Sequence, residues 1–352
     1  RFERLDDWLD WQQQLHPATI ELGLRRISSV LARAGGNRPR APVITVGGTN
    51  GKGSCVALLD AVLRANGYRV ASFTSPHLVE YRERIRIDGA MVSEASLIAA
   101  FERTADALGL DSLTFFEFNT LAALLIFETA APDVILLEVG LGGRLDSVNV
   151  VDADVAVVVS IGLDHMDWLG PDLESIGREK AGIFRAGRPA VFGTPEPPQS
   201  VHERAHELGA RLLVRGTDFD GRAAGAAGWD FTIGDRVALA ALPLPSLPGP
   251  IQVANAATAL MALHQLRDRL PLSRRAIVQG LQSALLPGRF QRVADARSFE
   301  WVLDVAHNPA AATTLAANLR ALPVTGRTLA VCGMLGDKDV PGVIGTLRDS
   351  ID

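Results

Sequence analysis

Little in this sequence marks a secreted, membrane-spanning or nucleic-acid-binding chain. Cys55 and Cys332 are the two cysteines among 352 residues, far apart and with no Cys or His at metal-ligand spacing. That excludes a disulfide framework and a zinc site, and suits a reducing cytoplasm. No apolar run reaches bilayer length; the most apolar helix-like stretch, 121–127, ends at Glu128. The opening residues, Arg1-Phe2-Glu3-Arg4-Leu5-Asp6-Asp7, have no signal-peptide core. Basic charge is also scarce. A formal charge of -5 leaves no footprint for nucleic acid, so any basic surface is expected to be local and to serve a small anion. The chain does not begin with Met and stops at Ser350-Ile351-Asp352 without an obvious closing element, so one or both ends are expected to be missing.

What is present is an ordinary globular composition, 47% hydrophobic and 21% charged, in a chain longer than one core usually organises. Two domains are expected. From residue 41 onward, short Val/Ile/Leu runs alternate with helix-period stretches, the pattern of a parallel α/β sheet with helices on both faces. Strands are predicted at 43–46, 70–73, 134–139, 155–161 and 190–192, and a helix at 55–66. The Ala/Gly/Pro-rich segment 222–250 reads as β-hairpin and loop, followed by helices at 255–267 and 273–285. Pro287-Gly288 divides an expected first domain, 1–286, from a second, 287–352, with a strand-helix-strand pattern at 300–304, 309–322 and 328–332.

The chemistry starts at the first strand, which runs into Gly48-Thr49-Asn50-Gly51-Lys52-Gly53-Ser54 and then a helix. A glycine-rich turn opening a helix presents backbone N–H groups and the positive end of the helix dipole to an anion. Lys52 adds a mobile charge, and the Ser54 hydroxyl suits Mg²⁺. Gly53 between Lys52 and Ser54 departs from the general G-x-x-x-x-G-K-[ST] form.

That departure resembles the loop of the Mur ligase superfamily, in particular its folylpolyglutamate synthase and dihydrofolate synthase branch. Further strings carry the same resemblance across most of the chain: Ser75-Pro76-His77-Leu78, Glu138 through Asp146, Asp164-His165, Glu179 through Ile183, Pro287-Gly288-Arg289-Phe290 and His307-Asn308-Pro309. The resemblance implies a P-loop parallel sheet followed by a smaller Rossmann-like α/β domain. It also implies an ATP-dependent ligase that adds L-glutamate to dihydropteroate, to folates already bearing glutamate, or to both, through an acyl phosphate. Two Mg²⁺ ions are implied, with Ser54, Ser75, Glu138 and His165 on the metal and Lys52, Glu138, His165 and Lys180 in catalysis. Gly48 to Ser54, Asn255, Arg289, Asp304 and His307 would hold ATP. The string from His16 to Leu24, with Ile20 and Leu22, resembles a dihydropteroate-binding loop, and Thr114, Phe116, Asp146 and Ser147 would complete the pterin pocket.

Read without the resemblance, several of these residues keep a second explanation. Glu138 could pair with Arg144, His165 could be a satisfied loop histidine, and Arg289 a linker ion pair. Thr114 and Glu117 have the spacing of a capping box. Lys180 shares a helical face with Ile176, Ile183 and Phe184, so it could snorkel to solvent; in the resembling family this lysine is carbamylated. The expected enzyme is a cytoplasmic monomer using tetrahydrofolate derivatives, dihydropteroate and glutamate, with neither nucleic acid nor membrane as partner. A cell-wall-precursor ligase and a non-ligase nucleotide-binding protein are the alternatives.

Overall fold

The computed structural model describes residues 2–36, 38–224, 228–294, 299–324, 326–336 and 338–352. Eight strands form one sheet: β1 (Val43–Gly47), β2 (Val70–Phe73), β3 (Ile85–Ile87), β4 (Ala90–Met91), β5 (Val134–Glu138), β6 (Val155–Val158), β7 (Pro189–Phe192) and β8 (Arg211–Val214). Their order is β4-β3-β2-β5-β1-β6-β7-β8. From β2 to β8 all neighbours are parallel, while β3 and β4 join one edge antiparallel. Continuous apolar runs are what parallel strands buried on both faces require, and the five predicted strands stand within a few residues of the observed ones. The short edge strands β3 and β4 carry no such run, and β8, which carries the three apolar residues Leu212, Leu213 and Val214, also escaped notice.

Helices cover both faces. On one face α1 (Leu5–Gln14), α2 (Arg25–Arg33), α4 (Glu94–Asp106), α5 (Phe115–Ala130) and α8 (Gln199–Leu208) bury Trp8, Ile27, Phe101, Phe118 and Val201. On the other, α3 (Lys52–Ala65), α9 (Ile251–Gln265) and α10 (Arg274–Ser283) bury Leu58, Leu59, Leu260 and Leu281. Two shorter helices, α6 (Met166–Leu169) and α7 (Leu173–Lys180), follow β6. The segment read as hairpin and loop is a three-stranded antiparallel unit, β9 (Phe219–Ala223), β10 (Gly228–Ile233) and β11 (Arg236–Pro243); its residues 225–227 lie outside the described ones.

At the α3–α10 crossing, a Cβ on Gly280 would lie 2.4 Å from Val62 Cα, so the helices approach as closely as glycine allows. Backbone cannot yield there as a flexible side chain would. Gly280→Ala is therefore expected to cost about 2–3 kcal/mol of stability, measured by urea unfolding; an unchanged midpoint would show that the crossing can relax.

Residues 291 onward build a small separate cluster. The antiparallel pair β12 (Gln291–Ala294) and β13 (Glu300–Leu303) precedes α11 (Pro309–Ala321) and α12 (Val340–Leu347), which bury Ala312, Ala316, Val343 and Leu347. The strand predicted at 328–332 is not formed. Among the described residues no strand runs beside it, and Val331 is fully exposed; Thr328 instead exchanges hydrogen bonds with Asp352. An apolar run becomes a strand only where a neighbour supplies the ladder.

Candidate active site

Parallel strands deliver their carboxyl ends to one edge, and β1 sits where the chain turns to opposite faces, flanked by β5 and β6. The segments after β1, β2, β5 and β6 therefore meet. The first is the glycine-rich loop. Gly51 is the N-cap of α3 in a left-handed conformation, φ 86°, and a Cβ there would lie 2.8 Å from Val159 Cγ1 and 3.1 Å from Asn255 Oδ1. Conformation and space both demand glycine. The loop is pinned to the segment after β6: Thr49 N–H donates to Ser160 O at 2.8 Å and Asn50 N–H to Ser160 Oγ at 3.0 Å. Those two amides are occupied. The amides opening α3 precede its first bond, from Cys55 N–H to Gly51 O at 2.9 Å, and are the ones left for an anion.

Lys52 Nζ donates to Gly48 O at 2.9 Å and Thr49 O at 3.2 Å. Burial pushes its ammonium below the ordinary lysine range, against the pull of Glu138. Glu138, the last residue of β5, is 5% exposed; its Oε2 accepts the Ser75 N–H at 3.1 Å. Burial raises its carboxyl, with Lys52 the strongest opposing charge. The Arg144 pairing does not occur, since Arg144 bonds Glu179 at 2.8 Å. Among the described residues Glu138 has no ion pair, and its Oε1 lies 3.8 Å from where a Cβ on Gly53 would stand, over the first turn of α3. A buried, unpaired carboxylate that shares the cavity with Ser75 is a hard oxygen donor that fits Mg²⁺, while Ser54 is buried in the first turn of α3 and does not line that cavity.

Lys180 closes α7 at 4% exposure and lines the same cavity, so it does not snorkel. Burial, then the Lys52 charge, pushes its ammonium down to about 7. His165 takes a left-handed backbone, φ 51°, at the N-cap of α6, and burial lowers its imidazole toward the neutral form that can bind a metal. As cations, His165 and Lys180 would repel a second divalent ion. An anionic group on Lys180 would favour a second metal there.

Arg289, in the segment leading to the second cluster, and His307 within it reach this cavity, which encloses about 140 Å³. Asp304 stands behind them, its carboxylate accepting the N–H groups of Phe290 and Ala306, each at 2.8 Å, so it orients the turn that carries Arg289. Asn255 faces Gly51 and donates to Gln252 at 2.9 Å.

The pterin-side residues adjoin rather than line this cavity. Thr114 and Glu117 do form a capping box, in which the Thr114 hydroxyl donates to Glu117 Oε2 at 3.0 Å. Phe116 lies 5.7 Å from the Phe73 ring and against Gly140, where a Cβ would approach its Cζ to 2.6 Å. The Asp146 carboxylate accepts from Leu141 and Val148, and burial lifts it to about 6. Ser147 spends its hydroxyl on Thr120 at 2.6 Å. The 16–24 loop reaches this wall through Gly23 N–H, which donates to Leu145 O at 3.2 Å, with Ile20 exposed and Leu22 half-buried.

Sequence reasoning read Asn308 as a helix N-cap, which it is for α11, and placed Asn50 in the nucleotide loop, but did not foresee that they join the two clusters. Asp164 accepts from Asn308 at 3.2 Å and Lys338 at 3.1 Å, and Asn308 also exchanges hydrogen bonds with Asn50 of the glycine loop. Burial would raise the Asp164 carboxyl, but His307, His165 and Lys338 hold it well below the usual range. Asp164-His165 was visible as a string; its partners, 144 and 174 residues away, were not.

Residues 288–352 match the family described as Mur ligase, glutamate ligase domain. The dihydrofolate synthase/folylpolyglutamate synthase of Escherichia coli (strain K12) is 49% identical over 356 residues, covering 99% of this chain and 80% of that protein. The protein of the same name from Haemophilus influenzae is 40% identical, covering 99% of this chain and 81% of its own. In structure the chain is similar to E. coli FolC in complex with DHPP and ADP, with a TM-score of 0.93 at 49% identity over 99% of this chain and 82% of that one. It is also similar to a bifunctional folylpolyglutamate synthase/dihydrofolate synthase with Mn, AMPPNP and L-glutamate bound, with a TM-score of 0.90 at 48% identity over 99% and 82%.

Proposed function

Because this chain belongs to the dihydrofolate synthase/folylpolyglutamate synthase family of Mur-type ligases, we propose that the cavity between its two clusters is where a folate-type acceptor is activated by ATP and joined to L-glutamate. The enzyme is an ATP-dependent ligase using a divalent metal. The observation that carries the site is the meeting of the glycine loop, Glu138, His165 and Lys180 with Arg289 and His307 on one cavity. The cell-wall and nucleotide-switch alternatives lose their basis, since the likeness extends over nearly the whole chain.

The reaction takes two displacements. An acceptor carboxylate oxygen attacks the γ-phosphorus of ATP, the bond to the β-phosphate oxygen breaks, and ADP leaves an acyl phosphate. The glutamate amine attacks the acyl carbon, phosphate departs, and a proton leaves the new amide nitrogen. Lys52 and the first amides of α3 hold the phosphates and offset the charge that develops on them. Bound Mg²⁺, held by Ser75 and Glu138, would supply further charge neutralisation. Arg289, set by Asp304, and His307 face the nucleotide from the second domain, with a hinge at Pro287-Gly288 between domains 1–286 and 287–352. Closure of that cleft excludes the water that would hydrolyse the acyl phosphate.

At pH 7 about half of the Lys180 amine is neutral, and only the neutral form adds CO₂, losing a proton to leave a carbamate. The carbamate would supply an anion that favours a second metal beside His165. On the acceptor side, Ile20, Leu22, Thr114, Phe116, Asp146 and Ser147 form the pterin pocket, with the Phe116 ring as a stacking surface. The reading includes a monomer in the cytoplasm; both cysteines are free thiols, and among the described residues no helix is long and apolar enough to cross a membrane.

Phosphate release from ATP is expected only when a folate-type acceptor, dihydropteroate or tetrahydrofolate, and L-glutamate are both present. ATP turnover indifferent to both would overturn the reading.

A further inference from the structure

Ser112 and Thr114, two residues apart at the entrance to α5, are the two ends of one unbroken chain of polar contacts. Ser112 Oγ lies 2.7 Å from His16 Nδ1, and His16 Nε2 lies 2.9 Å from Glu21 Oε2. Arg26 grips Glu21 twice, at the carboxylate and, at 2.9 Å, at the backbone oxygen. The same guanidinium donates to Glu117 Oε1 at 3.1 Å, and Glu117 Oε2 accepts from the Thr114 N–H at 2.9 Å. The chain has closed on itself through residues 91 positions apart.

The division of labour on Glu117 is informative. A capping box needs one carboxylate oxygen, and Oε2 alone takes both Thr114 donors. Oε1 is left for Arg26, which helix capping does not call for. Exposure rises from 4% for the Glu117 side chain through 16% for Arg26 to 49% for Glu21, and falls again to 8% at His16. Glu117 fixes the contact chain to a helix of the core, and its exposed middle member, Glu21, lies in the segment holding Ile20 and Leu22. The far side of that segment is tied beside Asp146 by the bond from Gly23 N–H to Leu145 O.

We propose that His16, Glu21, Arg26 and Glu117 are positioning residues that hold the 16–24 segment against the N-terminus of α5 and so set the affinity for the folate-type acceptor. The proposal rests on the reading that Ile20, Leu22, Thr114 and Phe116 border the acceptor. None of the four lines the nucleotide cavity, so their effect is confined to one substrate. Removing Glu117 would break the capping box of α5 and leave Arg26 without its buried partner, which makes Glu117 a poor first variant. Glu21 is half exposed and can be truncated without disturbing the core.

The test is steady-state kinetics of the full chain bearing Glu21→Ala, with dihydropteroate varied at saturating ATP and glutamate. The KM for dihydropteroate is expected to rise about tenfold, while the KM for ATP and the Tm stay as in wild type. Glu21→Gln, which keeps an oxygen acceptor, is expected to recover part of the loss. His16→Ala combined with Glu21→Ala is expected to cost little more than either alone, since both act through one contact chain. A dihydropteroate KM within about twofold of wild type, or a parallel rise in the KM for ATP, would overturn the proposal. So would a rise in KM matched by a fall in Tm. Wild type that releases phosphate without any need for acceptor would instead sink the reading beneath it.

Discussion

Lys52→Ala is expected to lower kcat/KM by about a thousandfold without lowering the Tm. The stability half of this expectation follows from the contacts, since Lys52 donates only to two carbonyls of its own loop, Gly48 O and Thr49 O. The activity half follows from where the charge sits. Lys52 is half-buried among Glu138, Lys180 and the first turn of α3, where a charge acts at lower effective dielectric than in water and has no need to reorganise as the phosphoryl group moves. Its removal also strips Glu138 of its strongest opposing cation, so burial drives that carboxyl higher and weakens it as a metal donor. Lys52→Arg should not restore turnover, because a planar guanidinium cannot occupy the space of an ammonium curled over Gly48. Turnover within tenfold of wild type would show that the loop amides and metal suffice.

Lys180→Met is expected to raise stability in acid and abolish ligation. The Lys180 ammonium is held down to about 7 from an ordinary 10.5, so between those values the unfolded chain binds a proton that the folded chain does not. Stability therefore rises with pH across that window, and the cost of the buried ammonium is present in full below pH 7. Methionine removes the cost, on the order of 3–5 kcal/mol, so the variant should melt well above wild type at pH 6 in CO₂-free buffer. The gap should close as pH approaches 10.5. A constant gap would mean that packing, not charge, explains it. Turnover should be lost in Lys180→Met and Lys180→Arg alike, since neither side chain can carry a carbamate. In wild type, bicarbonate should raise activity more at pH 8 than at pH 6. The two variants are linked: Lys52 is the second cause of the depressed Lys180 value, so Lys52→Ala should move the Lys180 titration upward.

Much of the fold was legible because a parallel sheet writes itself as continuous apolar runs, and β2 was read with its observed ends. The start of α3 was placed three residues late, at Cys55 instead of Lys52, because the apolar periodicity begins only once the helix turns toward the sheet. The three-stranded unit at β9–β11 was reduced to a hairpin because β9 and β10 lack a continuous apolar run and the run in β11 is Ala-rich and mostly exposed. The strand expected at 328–332 shows the opposite failure, an apolar run with no strand beside it among the described residues.

By itself the sequence determined the glycine loop, the strand-end Glu138 and the family to which the strings belong. These are local facts: a turn that only glycine can make, a run that must be buried, a lysine at helical spacing among apolar residues. Tertiary structure alone decided that Arg144 takes Glu179 and leaves Glu138 unpaired, and that Lys180 turns into the cavity and loses its proton near neutrality. It also decided that Glu117 caps its helix with one oxygen and holds Arg26 with the other. The physical reason is common to all three. Charge pairing and desolvation depend on separations of a few ångströms between residues tens to hundreds of positions apart, and only the folded chain sets those separations.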